Sequence, residues 1–441
     1  MLQSSARFFS QIMQKWMPDA FVFAIVLSAI VFSSGLIFEQ QSVQEMTLYW
    51  GNGIWNLLSF SMQMVIILVT GHILANTHAV ASIIDRIANF GNTPRKAIVL
   101  TTLVACFASW LNWGFGLVVG ALIARKIATK TKGVHFPLLV AAAYSGFIVW
   151  HAGLSGSIPL KIASPSNDKL GQLIHQNPIP VSETIFSPQI ISIVALLFIT
   201  LPILLMLMNP SEKESEPLLL NPQEKQALSK NQGNLTPAQK LEHSFILTTL
   251  LGLLGMGYLV IQFKHQGTLN LNNINLLLLS LGLWLQGSPR NYLNAMEQAI
   301  KSVSGIVLQF PLYAGIMGMM VQSGLAENMS QWFVSISNAQ TFPLFTFLSA
   351  GVVNFFVPSG GGQWAVQAPI VIPAAQALNV PLSQAAMAVA FGDAWTNLIQ
   401  PFWALPLLGI AGIGIQKIMG YCTVVLIWSG LIIGLGLMFF Y

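Results

Sequence analysis

The chain alternates long apolar runs with short polar connections, and most of the apolar runs continue for about 20 residues. A run of that length crosses a hydrocarbon layer of about 30 Å as a single α-helix. The uninterrupted runs therefore predict transmembrane helices at residues 18–37, 54–75, 188–208, 245–261, 272–287, 304–321 and 416–438.

The remaining apolar runs are interrupted by Gly, Pro and polar residues. Residues 136–160 and 383–408 have the length of one span but break midway, which predicts discontinuous helices. Residues 96–125 and 341–377 are too long for one span and break at "SWLNWGFG" and "PSGGGQW", which predicts re-entrant hairpins. Non-helical backbone at membrane depth is tolerated only where protein buries it or where it lines a wet cavity. The four breaks therefore mark the candidate site.

Both halves of the chain show the same order of span, span, hairpin, broken span and span. We predict a first repeat at 1–208, a cytoplasmic linker with an extra helix (245–261) at 209–271, and a second repeat at 272–441. Each half crosses the membrane an even number of times, so the extra helix inverts the second half. The predicted fold is an all-α polytopic membrane protein with two inverted-topology repeats, each containing a re-entrant helical hairpin and a discontinuous transmembrane helix.

Composition agrees with a membrane protein, since 54% of the residues are hydrophobic and only 7% are charged. Soluble domains carry about 25% charged residues. Cys106 and Cys422 lie in apolar runs and indicate neither a disulfide framework nor a metal site. The motifs GxxxxGK[ST], HExxH and CxxC are missing from the sequence, as is GxGxxG after a strand, so ATP-driven transport and the common soluble enzymes are disfavoured. We expect no cofactor.

The basic residues support this topology. With the N-terminus in the cytoplasm and each hairpin returning to its own side, all but three of the 19 Lys and Arg residues are cytoplasmic. The exceptions are Lys161, Lys169 and Lys264. This bias is the positive-inside pattern of a multi-pass protein of the cytoplasmic membrane, surrounded by lipid. It also explains the net charge of +5 without a nucleic-acid partner.

The four breaks predict a substrate site built from hydroxyl, amide, indole and backbone N–H groups. Its candidate residues are Ser109, Asn112, Trp113, Gly114, Ser155, Ser157, Ser359, Gly360, Gly361, Gly362, Gln363, Trp364, Thr396 and Asn397. None of these is basic, so an anion would be held by half-helix N-termini, glycine N–H groups and amide or hydroxyl donors. The indoles would add an apolar wall, which suits a small carboxylate with a short alkyl end.

Asp393 is the only acidic residue that this topology places deep in the membrane. Inserting a carboxylate there costs at least about 2.5–3.5 kcal/mol, so we predict that Asp393 couples transport to a cation or proton. The alternative is an acceptor for neighbouring amides. His72 and His151 are the other ionisable candidates, each with packing as its alternative role. An intramembrane hydrolase built from Ser155 or Ser157 with His151 is also conceivable, because His151 precedes Ser155 by about one helical turn.

Several strings resemble the bacterial short-chain fatty acid transporters: "NWGFGLVVGA" (112–121), "GLSGSIP" (153–159), "VPSGGGQW" (357–364), "VIPAAQAL" (371–378) and "QPFWALP" (400–406). The similarity runs from "PDAFVFA" (18–24) to "IMGYC" (418–422). It implies a secondary carrier that imports small monocarboxylates such as acetoacetate or butyrate by H⁺ or Na⁺ symport. It also implies distant kinship with the ion transporter superfamily, whose members often work as elevator-type homodimers.

The sequence departs from the dicarboxylate carriers of that superfamily at both hairpin tips. Those carriers have a Ser-Asn-Thr triplet at each tip, where this chain has "SWLN" (109–112) and "PSGGGQW" (358–364). Their Na⁺ ligands therefore cannot be transferred to this chain. A carrier for a dicarboxylate or an acyl-amino acid remains an alternative, as does a membrane enzyme acting on acyl groups. A passive channel is disfavoured, because closed hairpins suit alternating access better than an open pore.

Overall fold

The computed structural model describes residues 8–9, 11, 15, 20–56, 58–163, 177–211, 214–218, 236–266, 271–300, 303–358 and 360–440. In these ranges the chain forms α-helices and one 3₁₀ helix, with no strand. The prediction of an all-α polytopic membrane protein is confirmed. The inverted relation between the halves and the domain boundaries stay predictions.

The first half contains both a helical hairpin and a broken helix. Its helices are α1 (Ala20–Phe38), α2 (Val43–Gly53), α3 (Leu58–Ala75), α4 (His78–Phe90), α5 (Pro94–Leu111), α6 (Trp113–Lys130), α7 (Phe136–Ser145), the 3₁₀ helix (Gly146–Ala152), α8 (Ser157–Ile162) and α9 (Pro188–Leu207). Helices α5 and α6 pack against each other and meet at Asn112, within the predicted hairpin 96–125. The predicted broken span 136–160 consists of α7, the 3₁₀ helix and α8.

The second half repeats both features. Its helices and those that precede it are α10 (Pro237–Glu242), α11 (Phe245–Gln266), α12 (Leu271–Gln286), α13 (Pro289–Ile300), α14 (Ser304–Gln322), α15 (Leu325–Ser335), α16 (Phe342–Asn354), α17 (Gly360–Ala377), α18 (Leu382–Asn397), α19 (Pro401–Ala411) and α20 (Gln416–Phe439). Helices α16 and α17 are the arms of the predicted hairpin 341–377. Helices α18 and α19 form the predicted broken span 383–408, interrupted at residues 398–400.

Within the described ranges, five segments are long and apolar enough to span a membrane, or six if a bent pair counts as one span. The five are Pro94–Leu111, Phe136–Ile162, Pro188–Leu207, Phe245–His265 and Gln416–Phe439. In the bent pair, Ser61–Leu74 and His78–Phe90 meet at 74°. Shorter apolar helices occupy the other predicted spans and the arms of the second hairpin.

Five short helices were not predicted from the apolar runs: α2, α4, α10, α13 and α15. Local capping explains why α2 begins where it does. The Ser42 hydroxyl accepts the Glu45 N–H at 3.1 Å, and the Glu45 carboxylate accepts the Ser42 N–H at 2.8 Å. This reciprocal pair satisfies two N–H groups that a helix start leaves open.

The first broken helix lies at the centre of the protein and the extra helix at its edge. Of the apolar window within Phe136–Ile162, 94% is buried, against 17% for Phe245–His265. The second broken helix packs closely against the hairpin arm α16, because Gly392 has no side chain. A Cβ at Gly392 would overlap the carbonyl oxygen of Phe347. The broken helices are therefore enclosed by protein. Their backbone lacks some helical hydrogen bonds, so it could not face lipid.

Candidate functional site

The tip of the first hairpin is formed by Asn112, which caps the start of α6. Its Oδ1 accepts the Phe115 N–H at 2.9 Å. Its Nδ2 and the Ser109 hydroxyl are buried and have no hydrogen-bond partner in the described structure. An unpaired buried polar group costs about 1–3 kcal/mol, so both groups are candidates for contact with a ligand. Gly114 is buried in the first turn of α6.

The same tip is fixed to the first broken helix. The Ser155 hydroxyl accepts the Trp113 N–H at 3.0 Å, and the Trp110 carbonyl accepts the Leu154 N–H at 2.8 Å. The Trp113 ring meets Trp403 of the second broken helix edge to face, with ring centroids 5.5 Å apart. Ser155 therefore positions the tip, and Trp113 belongs to a buried aromatic wall.

The second hairpin tip touches both broken helices at Gly360, the first residue of α17. A Cβ there would overlap the Ser157 hydroxyl and lie 2.6 Å from Cε1 of His151 and 2.9 Å from Oδ2 of Asp393. In contrast, a Cβ at the exposed Gly361 would meet no atom within 4 Å. The start of α17 therefore lies between a buried polar cluster and open space. The predicted site residue Ser359 lies outside the described residues.

The next residues of α17 contribute to the hairpin itself. Gln363 is buried, and its Nε2 donates to the Ala350 carbonyl at 2.7 Å and to Oε1 of Gln367 at 2.8 Å. The bond to Ala350 joins the two arms, whereas the bond to Gln367 lies within α17. The Gln363 Oε1 and the Trp364 Nε1 are buried without a hydrogen-bond partner in the described structure. Gly362, before them, is half-buried.

An amide cluster joins the hairpin arm α16 to the second broken helix. The Asn354 Nδ2 lies 2.8 Å from the Asp393 carbonyl, 2.9 Å from Oγ1 of Thr396 and 2.8 Å from Oδ1 of Asn397. The Thr396 hydroxyl lies 2.9 Å from the Gly351 carbonyl. The polar groups of Thr396 and Asn397 are therefore engaged in holding these elements together.

Asp393 and His151 form a pair between the two broken helices. The His151 Nδ1 lies 3.6 Å from Oδ2 of Asp393, and both side chains are 0% exposed. The other carboxylate oxygen, Oδ1, accepts the Asn397 Nδ2–H at 3.2 Å. On the far side of the ring, Nε2 lies 3.2 Å from the Ile158 N–H and 3.0 Å from Oγ of Ser157.

These contacts define the protonation of the ring. Because the Ile158 N–H donates to Nε2, a neutral His151 carries its proton on Nδ1, which faces Asp393. Ser157, His151 and Asp393 thus stand in the order of a hydrolase triad. However, the Nε2 lone pair already accepts a backbone N–H, so it is poorly available as a general base for Ser157. The cluster is better suited to holding a proton or an anion.

The site residues predicted from the sequence do not include His151, Asn354 or Gln400. Gln400 donates through Nε2 to the Asn354 carbonyl at 2.6 Å. Asn354 was detectable, since it is an amide at the end of an otherwise apolar hairpin arm. The pairing of His151 with Asp393 is not predicted by the sequence, because the two residues are distant along the chain.

Comparison with known proteins gives the family. A family model described as short chain fatty acid transporter matches residues 1–440. Relatives from Escherichia coli K12 and Haemophilus influenzae, provisionally named short-chain fatty acid transporters, are each 41% identical over 447 residues, covering 100% of this chain and of their own.

Two solved structures are also similar. The YdaH transporter of Alcanivorax borkumensis has a TM-score of 0.45 and 14% identity, covering 95% of this chain and 98% of its own. MtrF of Neisseria gonorrhoeae, from a class of antimetabolite efflux pumps, has a TM-score of 0.39 and 13% identity, covering 98% and 96%. From the family model and the two relatives that match its full length, this chain belongs to the short-chain fatty acid transporter family.

Proposed function

We propose that this transporter imports short-chain fatty acids, such as acetoacetate or butyrate, by symport with H⁺ or Na⁺. One observation carries the proposal: the start of α17 at Gly360 meets a fully buried carboxylate, Asp393, where three interrupted elements converge. A helix N-terminus attracts an anion, and a buried acid requires a cation or proton beside it. A site with both features suits the joint binding of a monocarboxylate and one cation.

The surrounding groups fit a small, singly charged ligand. Backbone N–H groups at the start of α17 would bind the carboxylate, and the Asn112 Nδ2 and Trp364 Nε1 are buried donors without a partner in the described structure. The aromatic wall at Trp113 would contact a short alkyl chain. None of the predicted site residues is basic, and this favours one negative charge over the two of a dicarboxylate.

The proposal includes the membrane location, the orientation and the oligomeric state of the carrier. The carrier would lie in the cytoplasmic membrane with its N-terminus in the cytoplasm, since that orientation gives the positive-inside distribution. A homodimer of elevator type is part of the proposal. The family consists of transporters, so the predicted alternative of an acyl-group enzyme is not carried further. A carrier for another organic anion remains the second candidate and is tested in the same assay.

The test is transport by the purified protein in proteoliposomes. We expect vesicles loaded with unlabelled acetoacetate to take up labelled acetoacetate by exchange, and expect butyrate to compete. Protein-free liposomes are the control, because undissociated short-chain acids cross bilayers unaided. Succinate and an N-acetyl amino acid serve as competitors for the second candidate. Exchange of either of these in place of acetoacetate and butyrate would refute the proposed substrate class.

A further inference from the structure

His151 and Asp393 join the two halves of the chain through buried ionisable groups. His151 belongs to the 3₁₀ helix of the first broken helix, and Asp393 belongs to α18 of the second. The facing atoms, Nδ1 and Oδ2, have no hydrogen-bond partner among the described residues. The Ala390 carbonyl also lies beside the imidazole ring. We infer that the coupling cation is a proton that binds to Asp393 beside His151; this rests on the proposed function.

The polar groups around Asp393 suit a proton better than a metal ion. Hard cations such as Na⁺ are bound by several converging oxygen ligands. Here the Asn397 Nδ2–H points at Oδ1 of Asp393, and the Nδ1–H of a neutral His151 faces Oδ2. Both are donors, which repel a metal ion and stabilise a carboxylate. No group of three or more His, Cys, Asp or Glu residues converges in the described part of the chain.

Among the described residues, no fixed positive charge lies beside the pair. The elements that pack against α18 or contact its cluster carry few other ionisable side chains among the described residues. These are Lys161 on α8, Tyr144 on α7, and Lys417, Tyr421 and Cys422 on α20. Lys161 is exposed, and the Tyr144 hydroxyl donates to the Asn397 carbonyl at 2.5 Å. None of these supplies a buried cation to neutralise Asp393.

Charge balance then links proton and substrate. An ionised Asp393 would repel a carboxylate at the start of α17, because Gly360 brings that N-terminus close to Oδ2. Once Asp393 takes up a proton, the repulsion disappears and the loaded site carries only the single negative charge of the substrate. The substrate therefore binds the protonated carrier, and by linkage its binding raises the proton affinity of the pair. His151 acts as a positioning residue, since its Nδ1 faces Oδ2 of Asp393 and affects how readily that carboxylate is protonated.

The test measures protons and ligand together. We expect acetoacetate binding to the detergent-purified protein to weaken by about tenfold per pH unit above the titration of the pair. Binding should also take up one proton, measured by calorimetry in buffers of different ionisation enthalpy. Replacing Na⁺ with choline should change neither value. Asp393→Asn should abolish both the pH dependence and the proton uptake.

His151 is tested with a matched control. His151→Gln should shift the midpoint of the pH profile while exchange transport persists, whereas His78→Gln, at an exposed position outside the site, should leave the profile unchanged. If Asp393→Asn fails to fold, the proton uptake of the wild type on binding acetoacetate tests the proton coupling by itself. Exchange without proton uptake, or binding that requires Na⁺, would overturn the inference and leave the proposed function standing. No acetoacetate or butyrate exchange at all would refute the proposed function.

Discussion

Gly360 is the residue at which the second hairpin touches both broken helices. Alanine there would place a methyl group against Ser157 and His151, whereas alanine at Gly361 would meet no atom within 4 Å. Both changes gain about 1 kcal/mol of helix propensity. A difference between their exchange rates therefore reports the contact of residue 360 with Ser157 and His151. We predict that Gly360→Ala lowers acetoacetate exchange by more than tenfold and that Gly361→Ala causes a much smaller loss.

The measurement is the initial rate of exchange at equal amounts of reconstituted protein. Thermal unfolding of both variants, followed by tryptophan fluorescence, separates a local clash from a general loss of stability. Equal losses of exchange in the two variants would contradict the close approach of α17 to the His151–Asp393 pair.

Asn354 offers a second test at a single residue. Its two Nδ2 hydrogens face three oxygens on α18, so Asn354→Ala leaves buried oxygens unpaired and should lower the free energy of unfolding by about 2–4 kcal/mol. Asn328→Ala is the control, because the Asn328 amide binds Glu39 at an exposed position. Urea unfolding in detergent compares the two variants. A larger loss of unfolding free energy for Asn328→Ala would argue against a stabilising role of the amide cluster.

At the scale of whole elements, residues 214–218 near the start of the linker are docked on the helical body. We call this segment the strap. The Glu216 N–H donates to Nδ1 of His135 at 3.0 Å, and its carboxylate pairs with Lys417 at 2.6 Å. The Tyr421 hydroxyl lies 3.0 Å from Nε2 of His135. The strap thereby ties the linker to the start of the first broken helix and to α20.

Acid should release this strap. Burial lowers the pKa of His135 from 6.5 to about 4, so the docked ring stays neutral and its Nδ1 can accept the Glu216 N–H. The released ring binds a proton near its ordinary pKa, so docking weakens as the pH falls from 6.5 to about 4. The Lys417 hydrogen bond lowers the pKa of Glu216, and protonation of that carboxylate weakens docking further at lower pH.

A fluorine label on Leu218→Cys would report this release by NMR. We expect the docked signal to disappear between pH 6.5 and about 4 in the otherwise unchanged protein. His135→Gln should shift the remaining loss below that range, because the amide does not titrate. A docked signal that persists to pH 4 would contradict the role of His135.

Hydropathy was sufficient to predict the long elements. The predicted spans 188–208 and 416–438 match α9 and α20 within two residues. Amphipathic helices such as α4 were missed because their polar residues hide them from a search for apolar runs. The sequence predicts which polar residues lie at the breaks, but it does not predict their hydrogen-bond and ion-pair partners. The His151–Asp393 pair depends on long-range packing of two broken helices, which no local pattern encodes.

Over the whole molecule, burial separates a central unit from a periphery. The broken helices and the hairpin tips make up the centre, whereas α11 is largely exposed to its surroundings. Exposed apolar side chains such as Leu254, at 71% exposure, suit contact with lipid. The polar site is thus surrounded by helices whose outer surfaces are apolar.

The single buried acid, unaccompanied by a basic group among its described neighbours, has an electrical consequence. If one proton enters with each monovalent anion, the loaded site and the empty site with an ionised Asp393 carry the same charge. A complete transport cycle therefore moves no net charge across the bilayer. Each charge moved would otherwise be worth about 2.3 kcal/mol per 100 mV. We predict that a potassium diffusion potential set with valinomycin leaves the steady-state accumulation of acetoacetate unchanged, while an inward pH gradient increases it. The transporter would then draw on acidity outside the cell and be indifferent to membrane voltage.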